Sequence, residues 1–337
     1  MSSYISSSTI STTIEIDTTT TTSKPPPCLP STPTTFLFAY SNDLDVDVVK
    51  NTWKSFGDGQ EINSRFKTIG SVRFDAREED EIVLSSDWKY INASIYSHLP
   101  DPSLSFPDGN SGSDVLRIID RFLNYTYCGP TIFILLKRYP NEVDISNLAT
   151  KMRLYHATVH VLVSMTPSGG SQEKTMYNLA SLTNGICVFS NDEHFELGPK
   201  QISNEYLVYA VNPVVSGNGS LKLPYLVLDY TGIYTVIITV QDHGPLDDFQ
   251  HLHFINYQIN RTEILSNVLY FDPDLHFKYL IGLQGFQNFF YSNDRYLEGL
   301  TRTDIEYQYS DEREQTLQIR VYGELAPSKW YPYDKTC

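Results

Sequence analysis

Hydrophobic positions between residues 131 and 190 follow two patterns in turn: unbroken apolar runs, and apolar residues at helical spacing. Ile132–Leu136 is such an unbroken run and is typical of a strand buried on both faces. Thr158–Val163, which is apolar except for Thr158 and His160, and Ile186–Phe189 are predicted as the next two strands. Between them, residues 145–152 and 176–183 place apolar side chains one helical turn apart. Strands that alternate with helices predict crossover connections and a parallel sheet, so the expected fold class is α/β and doubly wound.

The residues before this stretch extend the pattern toward the N-terminus. We predict a strand over Thr35–Tyr40, a helix around Trp53, a second strand over Gly70–Asp75 and a short edge strand over Asp80–Leu84. Two further helices precede the apolar run at residue 132. Gly185 is expected at the left-handed position that ends the last helix of the domain.

After about residue 200 the pattern changes to short strands between turn residues. Asp304–Tyr309 and Thr316–Tyr322 alternate apolar and polar residues, which predicts an antiparallel β-sandwich. We therefore divide the chain into three parts. These are a disordered Ser/Thr/Pro-rich tail (1–34), a doubly wound, mostly parallel domain (35–198) and a β-sandwich domain (199–337).

Charge and cysteine content narrow the classes of partner and site. The formal net charge is −15 without a basic patch, which argues against nucleic acid as a partner. The cysteines, Cys28, Cys128, Cys187 and Cys337, show no CxxC spacing, so a structural zinc site is not predicted. They fit either two disulfides or buried thiols, and Cys187 lies in a predicted buried strand, which favours an inert thiol there.

Two features bear on the cell compartment, and they disagree. Asn-x-Ser/Thr triplets at Asn92, Asn124, Asn218 and Asn260 are candidate glycosylation sites of a secreted protein. The N-terminal residues lack the basic and apolar regions of a signal peptide, and no stretch is long and apolar enough to span a membrane. The residues alone leave the compartment open.

No group of residues in the sequence predicts catalysis, and we expect no cofactor. Ser168-Gly-Gly-Ser171 lies between a strand and a helix but lacks the lysine and spacing of a P-loop, so a tight crossover turn is the simpler interpretation. No cysteine begins a Cys-x5-Arg loop, and no Gly-x-Ser-x-Gly elbow occurs. His251 and His253 project from one strand face, where metal binding and a plain polar role both remain open.

Six segments carry a resemblance to a known family: Phe38–Leu44, Val72–Asp75, Ile134–Ile145, Ser168–Gln172, Asn184–Gly185 and Val240–Pro245. They resemble a nematode extracellular family in which a degenerate von Willebrand factor A domain is fused to a β-rich module. The succession of elements in the first half is similar to the A-type fold. The resemblance covers about residues 36–335 and implies a secreted glycoprotein of adhesion or host defence, often near C-type lectin domains.

The A-type fold commonly binds a divalent cation above the C-terminal edge of its sheet, through Asp-x-Ser-x-Ser after the first strand, a later Thr and an Asp after the fourth strand. Here the first strand ends in Ser41-Asn42-Asp43 without the leading Asp. Ser111 or Ser113 stands near the Thr position, and Lys137 or Arg138 stands in place of the last Asp. A fixed cation repels a metal, so we expect that the metal site is lost.

A variant metal site built from Asp43, Asp45 and Ser111 stays open as an alternative. Asp43, Asp45 and Asp47 also suit the start of a helix, where carboxylates accept hydrogen bonds from free amides and favour the positive end of the dipole. Helix capping is the simpler interpretation of these aspartates.

We predict a binding or adhesion module without enzymatic activity, whose protein or glycan ligand is held by the loops at the C-terminal edge of the sheet. The predicted contact residues are Ser41, Asn42, Asp43, Ser111, Ser113, Lys137 and Arg138. The main alternative is a carbohydrate-binding protein that uses aromatic side chains of the β-sandwich, such as Phe289, Phe290 and Trp330. A hydrolase is the enzymatic alternative, and the sequence leaves the oligomeric state open.

Overall fold

The fold was analysed in a computed structural model, which describes residues 27–57, 66–201, 206–244, 247–259, 264–271, 289–297 and 299–333. The predicted tail up to residue 26, Asn260 and Cys337 lie outside the described residues, and so do the side chains of Phe289 and Phe290.

A six-stranded sheet forms the centre of the first domain. Its strands are β1 (Thr34–Ser41), β2 (Phe66–Phe74), β3 (Val83–Ser85), β4 (Thr131–Leu136), β5 (Thr158–Ser164) and β6 (Cys187–Ser190). Their order in the sheet is β3-β2-β1-β4-β5-β6, and all neighbours are parallel except β3, which runs antiparallel to β2 at the edge. This order confirms the predicted doubly wound, mostly parallel sheet.

Helices cover both faces of this sheet, because its strands are apolar on both sides. The helices are α1 (Val46–Lys54), α2 (Trp88–Ser97), α3 (Val115–Phe122), α4 (Ser146–Leu154), α5 (Thr175–Leu182) and the short α6 (Gly198–Gln201). One core contains side chains of α3, α4 and α5, among them Phe122 and Met152. The other contains side chains of α1 and α2, with Trp53 completely buried.

The end of α5 corrects one local prediction. Asn184, with φ of +58°, occupies the left-handed position that we expected for Gly185. Asn is one of the few residues other than Gly that adopts this conformation readily. Gly185 is required for a different reason, since a Cβ there would overlap the backbone of Val159.

The second domain contains two antiparallel sheets that face each other. One has the order β14 (Phe289–Leu297), β11 (Gly232–Thr239), β17 (Gln318–Gly323) and β7 (Tyr206–Val211). The other has the order β10 (Leu226–Val227), β15 (Leu300–Tyr309), β12 (Phe249–Ile259) and β13 (Ile264–Phe271), with β9 (Asn218–Lys222) also paired to β15. A short ladder joins β8 (Val214–Val215) to β16 (Gln315–Thr316).

The two sheets enclose an apolar core that includes Phe254 and Ile305 from one sheet and Val236 and Ile319 from the other. The predicted antiparallel β-sandwich is therefore confirmed.

The strands β11 and β17 are buried on both faces, because their second face packs on the first domain. Ile237 and Tyr322 belong to the same apolar cluster as α1 and α2. Gln318 accepts a hydrogen bond from the backbone N–H of Cys187, on edge strand β6, at 2.8 Å. Arg320, with no exposed surface, donates to the carbonyl oxygen of Gly185 at 2.9 Å. The edge of the first sheet is thus covered by the second domain.

A disulfide between Cys28 and Cys128 fixes the start of the described chain to the first domain. Thr34 is already part of β1, and its hydroxyl donates to the carbonyl oxygen of Cys128. Residues 28–34 therefore belong to the first domain, which corrects the predicted end of the tail.

Cys187 is a buried free thiol. Among the described residues, no helix has the length and apolar character needed to cross a membrane.

Candidate ligand-binding edge

Arg138 lies at the centre of the C-terminal edge of the first sheet, between the ends of β1 and β4. Its Nε donates to Asp43 Oδ2 at 2.8 Å, and its Nη1 donates to the carbonyl oxygens of Asp108 and Ser111, each at 2.8 Å. The guanidinium also lies over the ring of Phe106, 5.4 Å from its centroid. The side chain is 3% exposed, so it is an internal group that joins three segments.

Asp43 is the partner of Arg138 and is almost as well covered, with a side chain 5% exposed. The hydroxyl of Ser168, from the loop after β5, also donates to Asp43 Oδ2. Asp43 follows β1, Arg138 follows β4 and Ser168 follows β5, so this one carboxylate joins the ends of three strands. Asp43 thus does not cap α1. Asp45 stands at the N-cap position without a side-chain cap bond, and Asp47 lies in the first turn.

Asn42 joins the end of β1 to the segment after α2. Its amide nitrogen donates to the carbonyl oxygen of Asp101 and to Ser105 Oγ, while its amide oxygen accepts from the N–H of Asp101. All three contacts lie within the protein, and the side chain is buried.

Lys137 forms a second ion pair, on the side of β4 that faces β5 and β6. Its Nζ donates to Asp192 Oδ2 at 2.6 Å, to Ser164 Oγ at 3.0 Å and to Thr166 Oγ1 at 2.9 Å. The lysine therefore connects the ends of β4, β5 and β6, and only 16% of its side chain is exposed.

Asp75 directly follows β2, at the same edge of the sheet as Asp43 and Arg138, and has no exposed surface. Ser41 Oγ donates to Asp75 Oδ2 at 2.5 Å, and the backbone N–H of Asp114 donates to Asp75 Oδ1 at 3.2 Å. Burial raises the pKa of Asp75 to about 8, even though hydrogen bonds from Ser41 and Ser113 lower it. Asp75 also has φ of +62°, a conformation that Asp tolerates better than most residues.

Backbone hydrogen bonds connect the same loops directly. The N–H of Tyr139 donates to the carbonyl oxygen of Gly169, the N–H of Gly170 to that of Gly109, and the N–H of Ser113 to that of Tyr139, at 2.9 to 3.0 Å. A Cβ on Gly169 would overlap the guanidinium of Arg138, and one on Gly170 would overlap the backbone of Tyr139. The Ser-Gly-Gly-Ser segment is therefore a close-packed turn.

The structure brings the predicted contact residues together, but it places most of them inside. Ser41, Asn42, Ser113 and Arg138 are buried and bonded within the protein. Direct ligand contact does not fit this burial, so that expectation is corrected: these side chains support the loops. Ser111 is half-buried, and its hydroxyl donates to Asp108.

The side chains that face solvent at this edge belong to other positions of the same loops. Exposed residues here include Asp45, Asn110, Asn141, Val143, Thr166 and Pro167. Asp75, Asp108 and Asp192 also take part in these hydrogen bonds and ion pairs, although the sequence did not predict them as partners. Only Asp75 carried a signal, because it ends a strand whose carboxyl end the topology brings to this edge.

Arg138 and Asp43 lie where the A-type resemblance placed a lost cation site, and they are paired with each other. Asp43 Oδ2 also accepts from Ser168, while Ser111 donates through its hydroxyl to Asp108 and accepts through its carbonyl oxygen from Arg138. Asp43 and Ser111 thus already have partners within the protein. The loss of the metal stays a prediction, and Arg138 gives it a physical reason.

The predicted glycosylation sites differ in their surroundings. Asn124 and Asn218 are exposed. Asn92 is half-buried on α2, where its amide oxygen accepts a hydrogen bond from the indole of the buried Trp53 at 2.9 Å. Modification at these positions stays a prediction.

Trp330 does not present a free ring to a sugar, which corrects the role considered for it. The ring stacks on His156 with centroids 4.8 Å apart, and the indole N–H donates to the carbonyl oxygen of Cys28 at 3.0 Å. Gly129, with φ of +55°, lies so close that a Cβ would overlap the ring. Trp330 therefore fastens the C-terminal segment to the first domain near the disulfide.

The order of elements decides the class of the first domain. Strand, helix, strand, antiparallel edge strand and two helices are followed by strand–helix–strand–helix–strand. This is the succession that the resemblance implied. The first domain is von Willebrand A-like.

The A-like domain also has solved structures similar to it. The SpRpn10 VWA domain is 12% identical, with 46% of this chain and 87% of that chain covered and a TM-score of 0.32. A von Willebrand factor type A protein from Catenulispora acidiphila is 8% identical, with 87% and 58% covered and a TM-score of 0.34. BatB, a conserved hypothetical protein from Bacteroides thetaiotaomicron, is 11% identical, with 48% and 95% covered and a TM-score of 0.31.

A family profile described as a domain of unknown function, DUF7154, matches residues 211–324, which lie within the β-sandwich. A search of curated proteins found no match. At these levels of similarity, none of the comparisons assigns a ligand or a reaction.

Proposed function

We propose that this protein is a binding module without enzymatic activity, which holds a protein ligand on the loops at the C-terminal edge of its A-like sheet. The observation that carries this proposal is the buried Arg138, which joins the loops after β1 and β4 to the segment at 108–111. Loops held in one arrangement lose little conformational entropy when they bind, so such a surface is suited to recognition.

The position of this surface supports the proposal. In open α/β sheets, ligands bind outside the carboxyl ends of the strands, where the connections on either side diverge. That point lies between β1 and β4 in this sheet, and Asp43 and Arg138 follow those two strands. An internal cation at this place makes the loop arrangement independent of a metal ion.

The chemistry of the exposed rim favours a protein over a glycan. Asn110, Asn141 and Thr166 supply neutral hydrogen-bonding groups, and Val143 supplies an apolar side chain that is 72% exposed. Asp45, Asp108 and Glu142 add negative charge, so the rim has the mixed polar, apolar and charged character of protein interfaces. In the loops 40–45, 109–113, 137–141 and 166–171, no aromatic side chain is exposed, so these loops offer no ring face on which a sugar could stack.

We place the protein outside the cell or in the secretory pathway. Disulfides persist in oxidising compartments and are rare in the cytosol, and Cys28 is bonded to Cys128. The exposed asparagines of two glycosylation triplets, Asn124 and Asn218, fit the same compartment.

Two double variants on opposite edges of the sheet test the proposed surface. Asn110→Arg with Val143→Arg places two bulky cations on the C-terminal edge, at exposed side chains. Tyr125→Arg with Tyr127→Arg makes the same change near the start of β4, at the opposite edge, where both tyrosines are exposed. Fluorescent tetramers of the wild-type chain and both variants are applied to arrays of purified ectodomains and of glycans.

We expect the wild-type chain and the tyrosine variant to bind the same ectodomain, and the C-terminal-edge variant to lose at least tenfold in affinity. Equal binding by all three proteins would place the ligand elsewhere and overturn the proposal. Binding confined to glycans would favour the carbohydrate alternative. Matching thermal melts of the three proteins exclude unfolding as the cause of any loss.

A further inference from the structure

The loop between β11 and β12 contains a group of metal-ligating side chains far along the chain from the edge described above. His243, Asp247 and Asp248 each offer one donor atom, and these atoms all lie within 4.8 Å of one another. His243 Nε2 lies 3.1 Å from Asp247 Oδ1. Zinc holds nitrogen and oxygen donors at about 2.0–2.2 Å, so two donors on one tetrahedral ion are roughly 3.3 Å apart. The spacing of His243 and Asp247 already approaches that value.

The imidazole of His243 is held in a fixed orientation by a second carboxylate. Its Nδ1 lies 3.3 Å from Asp242 Oδ1, which leaves Nε2 facing Asp247. Asp242 is in turn bonded to Lys174 Nζ at 2.8 Å and to the backbone N–H of Thr316. A carboxylate on the far nitrogen is the usual support of a histidine that binds a metal, because it fixes the tautomer and the ring.

The charges around this loop leave a surplus that a divalent cation would balance. Five carboxylates face it or flank it: Glu173, Asp242, Asp247, Asp248 and Asp311. Two cations, Lys174 and Arg313, oppose them, which leaves three negative charges in excess when His243 is neutral.

Asp248 is buried, and the cation that covers it is movable. Arg313 bonds to the carboxylates of Asp248 and Asp311, and it lies 3.5 Å from Asp247. More than half of the Arg313 side chain is exposed, so it can turn away into solvent without breaking apolar packing. The two carboxylates then face His243 Nε2 without a competing charge.

We propose that His243, Asp247 and Asp248 form a site for a zinc-type divalent ion, with Arg313 as a displaceable cover. One imidazole nitrogen and two carboxylates suit zinc or a similar transition metal, whereas magnesium and calcium prefer all-oxygen sites. Three protein ligands leave at least one position for water or for a donor from a partner.

The location of the site gives the ion a structural consequence. The described part of this loop contacts the first domain, where Asp242 pairs with Lys174 and the N–H of Gly244 donates to Glu173. Lys174 and Glu173 directly follow the loop that carries Ser168 and Gly169. Binding of zinc would therefore stiffen the junction of the two domains, beside the proposed ligand-binding edge. The zinc site does not require that edge to bind a ligand.

Zinc titration of the EDTA-stripped full chain tests the proposal, by calorimetry and by the absorption of bound Co²⁺. The wild-type chain is expected to bind one equivalent of zinc. His243→Gln and, separately, Asp247→Asn are expected to weaken binding at least tenfold, whereas Arg313→Gln is expected to tighten it. If these side chains only stabilised the loop, all three substitutions would weaken zinc binding or leave it unchanged. Tighter binding by Arg313→Gln alone would not be expected.

His251→Gln with His253→Gln serves as the matched control, because these two histidines stack on each other within strand β12, outside the loop that carries the proposed site. Loss of zinc binding in this control, with retention in His243→Gln, would assign the ion to β12 and overturn the proposal. Absence of stoichiometric binding by both the wild-type chain and Arg313→Gln would overturn it as well. Asp247→Asn changes a half-exposed side chain, so it keeps the test valid if His243→Gln does not fold.

Discussion

Arg138 and Asp43 form a buried ion pair, with 2.8 Å between Nε and Oδ2, across the point where the connections of the A-like sheet diverge. The crevice that this topology creates is therefore filled by a charged pair of the protein itself. Nη1 donates both of its hydrogens to backbone carbonyl oxygens, so the chain itself supplies part of the solvation that the buried charge needs.

Arg138→Gln is expected to lower the free energy of unfolding by about 3–5 kcal/mol, because it leaves the Asp43 carboxylate buried without its partner. The double variant Asp43→Asn with Arg138→Gln is expected to lose much less than the sum of the two single variants. Urea unfolding of the four proteins, followed by tryptophan fluorescence, measures the coupling.

Lys151→Gln is the matched control for this pair, since Lys151 and Asp120 form an exposed ion pair. Its removal should change the free energy of unfolding by less than about 1 kcal/mol. Additive losses in the Asp43 and Arg138 variants would contradict a coupled, buried pair.

Removal of the arginine side chain is expected to create a response to hard cations that the wild-type protein lacks. Arg138→Ser leaves a carboxylate of Asp43 and the carbonyl oxygens of Asp108 and Ser111 around an open space, and such oxygens are ligands of magnesium and calcium. At a hundredfold excess over its dissociation constant, a cation would stabilise the variant by about 2.7 kcal/mol.

Thermal melts in EDTA and then in magnesium, manganese or calcium measure this gain. Asp43→Asn in the Arg138→Ser background should remove it. A shift in the wild-type protein that disappears with Asp43→Ala would instead show that the edge binds a cation despite Arg138, and cation-dependent adhesion would become the leading function.

The sheet of the first domain could be predicted because its strands are marked by local runs of apolar residues in the sequence. Ile132–Leu136 is apolar throughout, and Thr158–Val163 is apolar except for Thr158 and His160, a pattern that favours helices on both faces. The topology then brings the residues after β1 and β4 to one edge. That Asp43 and Arg138 would bond to each other, and thereby be buried, depends on the path of the loop at 105–114, which has no periodic pattern.

The domain junction shows a second limit of the sequence pattern. Alternation in Gln318, Arg320 and Tyr322 is typical of a strand with one face in solvent. These polar side chains are buried against β6 and α5 instead, where Gln318 bonds to Cys187, Tyr177 and Ser181. Polar residues that satisfy each other across a domain interface look like surface residues in a single sequence, because their partners lie more than a hundred residues away.

Asp75 is expected to make the stability of the protein fall as the pH rises. Burial raises the pKa of Asp75 to about 8 in the folded chain, against an ordinary value of 3.8, so the folded state binds more protons between these pH values. The free energy of unfolding contributed by this group therefore decreases as the pH rises from about 4 to about 8, by at most about 1.4 kcal/mol per pH unit, and is constant above.

Asp75→Asn should remove this dependence, because the amide has no titrating proton and tolerates the left-handed backbone. Its oxygen can still accept from the N–H of Asp114, and its nitrogen can donate to Ser41 Oγ. The measurement is urea unfolding of both proteins over the same pH range, with Asp120→Asn as a control for the loss of an exposed charge. An unchanged slope in Asp75→Asn would show that Asp75 does not titrate in this range.

The disulfide between Cys28 and Cys128 is expected to contribute a large part of the stability of the first domain. It joins residues 100 positions apart, and closing a loop of this length stabilises the folded state by about 4–5 kcal/mol in the chain-entropy model. It also fixes the carbonyl oxygen of Cys28 that accepts from Trp330, so the C-terminal segment depends on it.

Urea unfolding with and without dithiothreitol tests this contribution in the wild-type chain and in Cys28→Ser with Cys128→Ser. The reductant should lower the stability of the wild-type chain to that of the variant and leave the variant unchanged. An equal effect on both proteins would mean that the reductant acts on another bond. Stability of the wild-type chain that is insensitive to reduction would contradict a large contribution from this disulfide.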